Sequence, residues 1–247
     1  MNISNPLMPL LFVGHGSPLL AIQENSFTEE WKSIARKIPK PEAIVVISAH
    51  WVRDQRFVTG QVQPPQIFDF YGFPEQLYQT KYRVKGNPEL AQSLGFELNH
   101  EWGIDHGAWC VLKIMYPDAD IPVIEISLKR NDTPESLMAL GKQLKTLRSK
   151  KILLMGSGNL VHNLSKINFH SPNQVPSWAS DFETDVMSKI KNKNYQAITP
   201  SPIAHPSPEH LWPLFPILGA VEETDRLQVF NQRFDLGSIA MTSLYFQ

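Results

Sequence analysis

The chain has 247 residues, a formal net charge of -1, 42% apolar residues and 19% charged ones. That balance suits one large α/β domain with a sizeable core, and it lacks the basic footprint of a nucleic-acid binder. The single cysteine, Cys110, excludes an internal disulfide and a thiolate zinc cluster, and it points to a reducing cytoplasm. No apolar run reaches membrane-spanning length, so no membrane partner is expected. The start Met1–Pro6 lacks a basic segment, and Pro9 breaks the apolar run after it, so no secretory leader is read there.

Leu10–Val13 is a short apolar run that ends in Gly14-His15-Gly16-Ser17-Pro18. Such a run, closed by small residues, predicts a buried strand of a parallel sheet. Ser26-Phe27-Thr28-Glu29 fits a capping box, and Phe27, Trp31, Ile34 and Ile38 recur at helical spacing, so residues 27–38 read as an amphipathic helix. Residues 43–49 form a second apolar strand that delivers His50, and the strand–helix–strand order implies a parallel βαβ unit. Residues 56–62 read as a short strand. The loop 61–74, rich in proline and aromatics, reads either as a satellite apolar cluster or as the wall of a flat aromatic ligand's site.

Residues 88–97 look helical, and Asp105 is placed to cap a buried helix from His106 to Tyr116. Residues 121–128 read as a strand with Pro122 at its start. Asp132-Thr133-Pro134-Glu135 opens the next helix, with Leu137, Leu140, Leu144 and Leu147 as its inner stripe. Ile152–Met155 is another buried strand and runs into Gly156-Ser157-Gly158-Asn159-Leu160-Val161-His162. Residues 178–190 predict a helix with Trp178, Phe182, Val186 and Ile190 inward. A proline-rich turn leads through Glu209 and His210 to a short helix starting near Trp212, and strands near 227–233 and 238–246 extend the sheet, read as antiparallel.

Three of the eight histidines, His15, His50 and His162, follow predicted strands, while His106 opens a helix and His210 precedes one. Parallel sheets gather ligands outside the carboxyl ends of their strands, so His15 and His50 are expected to leave neighbouring strands into one crevice and hold a metal. Imidazole suits zinc, iron, copper and nickel, and two or three histidines with or without a carboxylate make a catalytic kind of site. Asp69, Asp105 and Glu209 are nearby carboxylates. His100, His170 and His205 sit in polar loops and are read as ordinary surface residues. The serines among glycines do not match a hydrolase elbow, and no phosphate-binding loop is present.

Taken together, Gly14-His15-Gly16-Ser17-Pro18, Ser48-Ala49-His50-Trp51, Asp105-His106-Gly107, Gly158-Asn159-Leu160-Val161-His162-Asn163 and Pro208-Glu209-His210 resemble, in this order, the 4,5-DOPA extradiol dioxygenase family. These are class III extradiol ring-cleavage enzymes, with the β subunit of protocatechuate 4,5-dioxygenase as a distant relative. The resemblance runs from about residue 9 to 245. It implies an α/β fold, with residues 1–247 forming a single three-layer αβα catalytic domain around a central, mostly parallel mixed sheet. It also implies one divalent metal per chain, Fe(II) for ring cleavage or Zn(II) as isolated. His15, His50 and His210 would be metal ligands. His162 would be a ligand as in the DOPA branch or an acid–base residue as in the protocatechuate branch, and Glu209 offers an alternative to its neighbour His210. His106 would touch substrate or oxygen as a second catalytic histidine beside His162.

The implied reaction is insertion of O2 into a catechol, such as 4,5-cleavage of DOPA to a muconic semialdehyde. The competing readings are a zinc-dependent hydrolase on the same histidines and a metal-bound binding protein without catalysis.

Overall fold

The buried runs of the sequence become the middle of an eight-stranded sheet. The computed structural model describes residues 6–247; positions 1–5, part of the segment inspected for a leader, lie outside the described residues. In chain order the elements are β1 (Leu10–Gly14), α1 (Ser26–Ala35), β2 (Ala43–Arg53), β3 (Phe57–Thr59), α2 (Glu75–Tyr78), α3 (Pro88–Ser93), β4 (Glu97–Asn99), α4 (His106–Met115) and β5 (Val123–Lys129). There follow α5 (Pro134–Leu144), β6 (Ile152–Gly158), α6 (Ser177–Lys191), α7 (Leu214–Gly219), β7 (Leu227–Phe230), β8 (Phe234–Asp235), β9 (Ile239–Ala240) and β10 (Ser243–Phe246).

The sheet order is β4-β3-β5-β2-β6-β1-β10-β7, and β8 and β9 form a separate two-stranded ribbon. Strands β5, β2, β6 and β1 run parallel, while β3 against β5, β10 against β1 and β7 against β10 are antiparallel. The expected parallel centre with antiparallel additions is therefore present. One detail differs: β1 and β2 are not neighbours, because β6 lies between them.

Side chains alternate across each strand, so one strand feeds two cores. Leu10, Phe12, Val45, Ile47 and Leu154 pack with α5, α6 and α7 on one face. Leu11, Val13, Ile44, Val46 and Met155 pack with α1 and α4 on the other. This is the three-layer αβα arrangement. Arg148 is buried beside the starts of β1 and β6, where its guanidinium meets Asp225 in a bidentate pair at 2.7 Å and donates to the carbonyls of Met8 and Ala220.

Several element boundaries depart from the sequence reading. Helix α1 is capped by Asn25, whose Oδ1 accepts from Phe27 and Thr28 while Thr28 Oγ1 accepts from the Asn25 N–H, so the box starts one residue before Ser26. The 88–97 segment stops being helical at Ser93, since Gly95 takes a positive φ and frees residues 97–99 to pair with β3. The 238–246 run divides into β9 and β10. Trp178 and Phe182 of α6 are only partly buried, and Glu183 shares the inner face with Val186, Met187 and Ile190. The helix expected near Trp212 begins at Leu214, after a short 3-10 turn over Pro208–His210. Among the described residues no helix is long and apolar enough to cross a membrane.

Candidate active site

The C-terminal ends of β1, β2 and β6 open on one cavity of about 600 Å3, and His15, His50, His106, His162 and His210 all line it. His15 follows β1 directly, and Gly16 beside it takes a φ of +62° that a side chain would strain. His50 is not past its strand but within it. The pairing of β2 with β5 jumps from Ile47↔Ile126 to Val52↔Leu128, so Ser48, Ala49, His50 and Trp51 stand against Ser127 alone. A bulge of this kind re-aims a side chain, and here it turns His50 toward His15. His106 is the first residue of α4, whose N-cap Asp105 accepts from the Ala108 N–H. His210 lies in the turn before α7, and its carbonyl accepts from the Asn159 N–H at 2.8 Å at the end of β6. A Cβ on Gly158 would collide with that carbonyl, so the glycine lets the His210 segment lie against the strand.

Ring nitrogens of His15, His50 and His210 lie within 4.8 Å of one another. Their hydrogen-bond partners decide which nitrogens are bare. The Ser157 hydroxyl has one proton, which it donates to the Gly107 carbonyl at 2.5 Å. It can then only accept from His15 Nδ1–H, 3.1 Å away, which leaves His15 Nε2 with a free lone pair. His50 places Nδ1 3.4 Å from Asp69 Oδ2 and Nε2 3.1 Å from His15 Nε2. His210 Nδ1 is 3.4 Å from Glu209 Oε1, while its Nε2 is buried with no partner. Carboxylate or hydroxyl partners on the far nitrogen, with bare nitrogens converging, is how metal-binding histidines are oriented. Two facing lone pairs at hydrogen-bond distance and one orphaned nitrogen fit a cation between them.

The electrostatics favour neutral imidazoles. Burial, reinforced by the neighbouring rings, pushes His15 and His210 well below the ordinary histidine value. Burial lowers His50 to about 3, with His106 adding to the shift and Asp69 opposing it. His162 falls to about 4, mainly through burial and then through His205 and His106. At neutral pH these rings are uncharged, the form in which imidazole binds a metal.

A second group surrounds Asp69. His106 Nδ1 lies 2.9 Å from its Oδ2, and the His106 N–H donates to its Oδ1 at 3.1 Å. Burial alone would raise the Asp69 carboxyl, but His106 and His50 outweigh it and hold the group below its usual range. Asp105 has a different role. It is fully buried, accepts from Ser48 at 2.7 Å, and is pushed up to about 6 by burial and by Asp69. It braces the bulge and caps α4. Glu209 accepts from Ser207 at 2.7 Å.

His162 is at the site but in another position. Its ring stacks on His210, with centroids 3.5 Å apart and planes 4° from parallel. It is not in the group of close-set ring nitrogens formed by His15, His50 and His210. His100 and His170 are exposed as expected. His205 is not a surface residue: it is 3% exposed, lies edge-on to Phe182 and reaches the Asn159 carbonyl at 3.4 Å. The 61–74 loop forms the satellite apolar cluster, and part of it also lines the cavity. Phe68 and Phe70 pack on Trp109 and Tyr78, while Asp69, Phe70 and Phe73 face the cavity. Sequence reasoning weighed Ser157 only as a hydrolase serine and passed over Asp235, which also lines the cavity.

Residues 9–237 match the family described as the catalytic LigB subunit of aromatic ring-opening dioxygenase. The chain belongs to that family. Two relatives named 4,5-DOPA dioxygenase extradiol are similar to it: one from Escherichia coli K12, 37% identical over 98% of this chain and 96% of its own length, and one from Beta vulgaris, 34% identical over 100% and 99%. The crystal structure of an uncharacterized protein from Escherichia coli K12 superposes with a TM-score of 0.83 at 33% identity, covering 96% of this chain and 99% of that one. The chain is thus an extradiol ring-cleavage dioxygenase, an enzyme that opens a catechol with O2, and its histidine cluster suits a mononuclear metal.

Proposed function

We propose that the chain forms one catalytic domain over residues 1–247, that His15, His50 and His210 hold a single Fe(II), and that the substrate is a catechol with a side chain, as the names of the relatives suggest for DOPA. Zn(II) would fill the same nitrogens without supporting oxygen chemistry. The observation that carries this reading is the convergence of three neutral imidazoles whose outer nitrogens are engaged by Ser157, Asp69 and Glu209. When bound, iron supplies the redox path between an electron-rich diol and dioxygen.

The chain's own residues do the rest. The flat ring fits between Phe70 and Phe73 on one side and the histidines on the other. Of the two roles open to His162, its stacking on His210 favours acid–base work over ligation. Burial holds His162 below the ordinary histidine value, so its imidazole is neutral at the outset and has a lone pair to accept a diol proton. His106, with Nδ1 2.9 Å from Asp69 Oδ2, keeps Nε2 for a hydrogen bond to substrate or oxygen. The aromatic walls exclude water while the ring opens. The lone, buried Cys110 supports a cytoplasmic setting.

The test is anaerobic reconstitution with Fe(II), then a catechol panel that includes DOPA, then air. A coloured semialdehyde product with equimolar oxygen uptake is expected. Bound iron with no turnover of any catechol, or ester hydrolysis by the zinc form that is indifferent to oxygen, would overturn the reading.

A further inference from the structure

The charge inventory of the cavity says more than the ring chemistry does. Apart from histidines, the ionisable side chains that line it among the described residues are Asp69 and Asp235, with no lysine or arginine. Asp69 is committed to His50 and His106. Asp235 is half-buried, and among the described residues it has no ion pair and no side-chain hydrogen-bond partner. The nearest arginine in sequence, Arg233, is taken by Glu30 and lies over Phe27. The cavity wall is mostly apolar, with Leu20, Phe27, Phe73 and Ile167, and its uncharged polar side chains are Ser17, Gln23 and Asn25. A carboxylate in such a wall gives up hydration without recovering it from the protein, and burial raises its value accordingly.

The strand pairing supplies a ruler. Asp235 pairs with Ile239 across the β8–β9 ribbon, and Ile239 bridges in turn to His162. Two strand spacings put the Asp235 backbone about 10 Å from that of His162. A catechol whose diol sits at the histidines spans that interval with its ring and a short side chain.

We propose that Asp235 selects catechols whose side chain carries an ammonium group and disfavours those that carry only a carboxylate. The proposal rests on the dioxygenase reading above and names the substrate class within it. An ammonium at the end of a two-carbon arm gives Asp235 its missing counter-ion in a cavity of low polarity. A carboxylate on the same arm meets a like charge and finds no cation. Discrimination of this kind is a difference of two affinities, with attraction to one ligand and repulsion of the other acting in the same direction. An amino acid side chain satisfies Asp235 through its amine.

The experiment uses the iron-loaded full chain and three catechols of matched size: 4-ethylcatechol, 4-(2-aminoethyl)catechol and (3,4-dihydroxyphenyl)acetate. The KM of the amine should lie at least about tenfold below that of the acid, with the neutral compound between them. In Asp235→Asn the amine-to-acid ratio should collapse to within about threefold of unity, and Asp235→Glu should retain the preference. A parallel arm without turnover measures binding of phenethylamine and phenylacetate to the wild-type protein by thermal shift, with the amine expected to stabilise more. Equal KM values for amine and acid in the wild type, or a ratio unaltered in Asp235→Asn, would overturn the proposal. Failure to cleave any of the three catechols would sink the dioxygenase reading instead, and the binding arm would still report the charge preference.

Discussion

Ser157→Ala removes one oxygen atom and tests the logic of the whole cluster. The Ser157 hydroxyl donates to Gly107 and accepts from His15 Nδ1–H, so it fixes which tautomer His15 adopts. Without it, Nδ1–H has no acceptor in a site where His15 is 4% exposed. The ring can then move its proton to Nε2, the nitrogen that faces His50. Loss of an outer partner of a metal-binding histidine costs roughly 10–100-fold in affinity, or about 1.4–2.7 kcal/mol. Loss of the buried hydroxyl also costs about 1–3 kcal/mol of fold stability, so affinity must be measured where both proteins are folded, as shown by urea titration. Apoprotein would be titrated with Co(II) against a competing chelator, the ligand-field bands reporting coordination. Nitrogen-15 labelling of histidine in the apoprotein would read the tautomer directly. A folded Ser157→Ala protein with Co(II) affinity within about twofold of wild type and an Nδ1-protonated His15 would refute the argument.

Other consequences are as direct. His15→Ala should lose the metal, whereas His162→Ala should keep stoichiometric metal and lose turnover by about 100-fold or more; metal analysis of both separates ligand from acid–base residue, and joint loss in His162→Ala would make it a ligand. His205 has its value lowered to about 4 by burial, so unfolding takes up a proton between pH about 6.5 and 4. Its contribution to stability is intact above pH 6.5 and falls as pH drops, by about 1.4 kcal/mol per pH unit. Urea midpoints of the apoprotein at pH 7, 6 and 5 should therefore show a shallower decline in His205→Gln, and an identical pH slope would count against a buried neutral ring. Asp225→Ala leaves the Arg148 guanidinium buried with only carbonyl acceptors and should destabilise by about 3–5 kcal/mol, read as a urea midpoint; a loss below about 1 kcal/mol would show that water reaches the arginine.

The strands were legible because their information is local. Leu10–Val13, Ala43–Ile47 and Ile152–Met155 are apolar runs, and a run carries its own secondary structure and burial. That same locality explains the misreadings. His205 sits in a proline-rich turn that looks like surface, yet the turn folds back over the end of β6, where the His162 N–H bonds the Ala204 carbonyl. Nothing within ten residues of His205 signals that closure. Asn25 and Ser26 are both capping residues, and only the reach of Thr28 back to Asn25 decides between them. Asp69 was visible as a carboxylate in a loop, but its bond to the His106 N–H depends on a pairing of Gln66 with Ile104 that no spacing rule announces.

The organising element is therefore the end of β6 rather than either histidine strand beside it. Gly156, Ser157 and Gly158 alternate across the sheet, and each face is put to a different use. The two glycines leave one face bare, and there the Pro208–Pro213 segment lies close enough that a methyl on either glycine would strike the carbonyl of Pro213 or His210. The serine faces the other way, toward Gly107 on α4 and the ring of His15. Gly14 pairs with Gly158 and Ser48 with Ser157, so β1 ends and β2 enters its bulge within one rung of each other on opposite sides of β6. His15 and His50 are then separated by the width of one intervening strand, and the bulge at Ser48–Trp51 closes that gap to 3.1 Å. A larger residue at 156 or 158 would expel His210, and an apolar one at 157 would release His15. The three-residue stretch fixes the histidine cluster without contributing a histidine to it, although as a serine among glycines it matched no hydrolase elbow in the sequence.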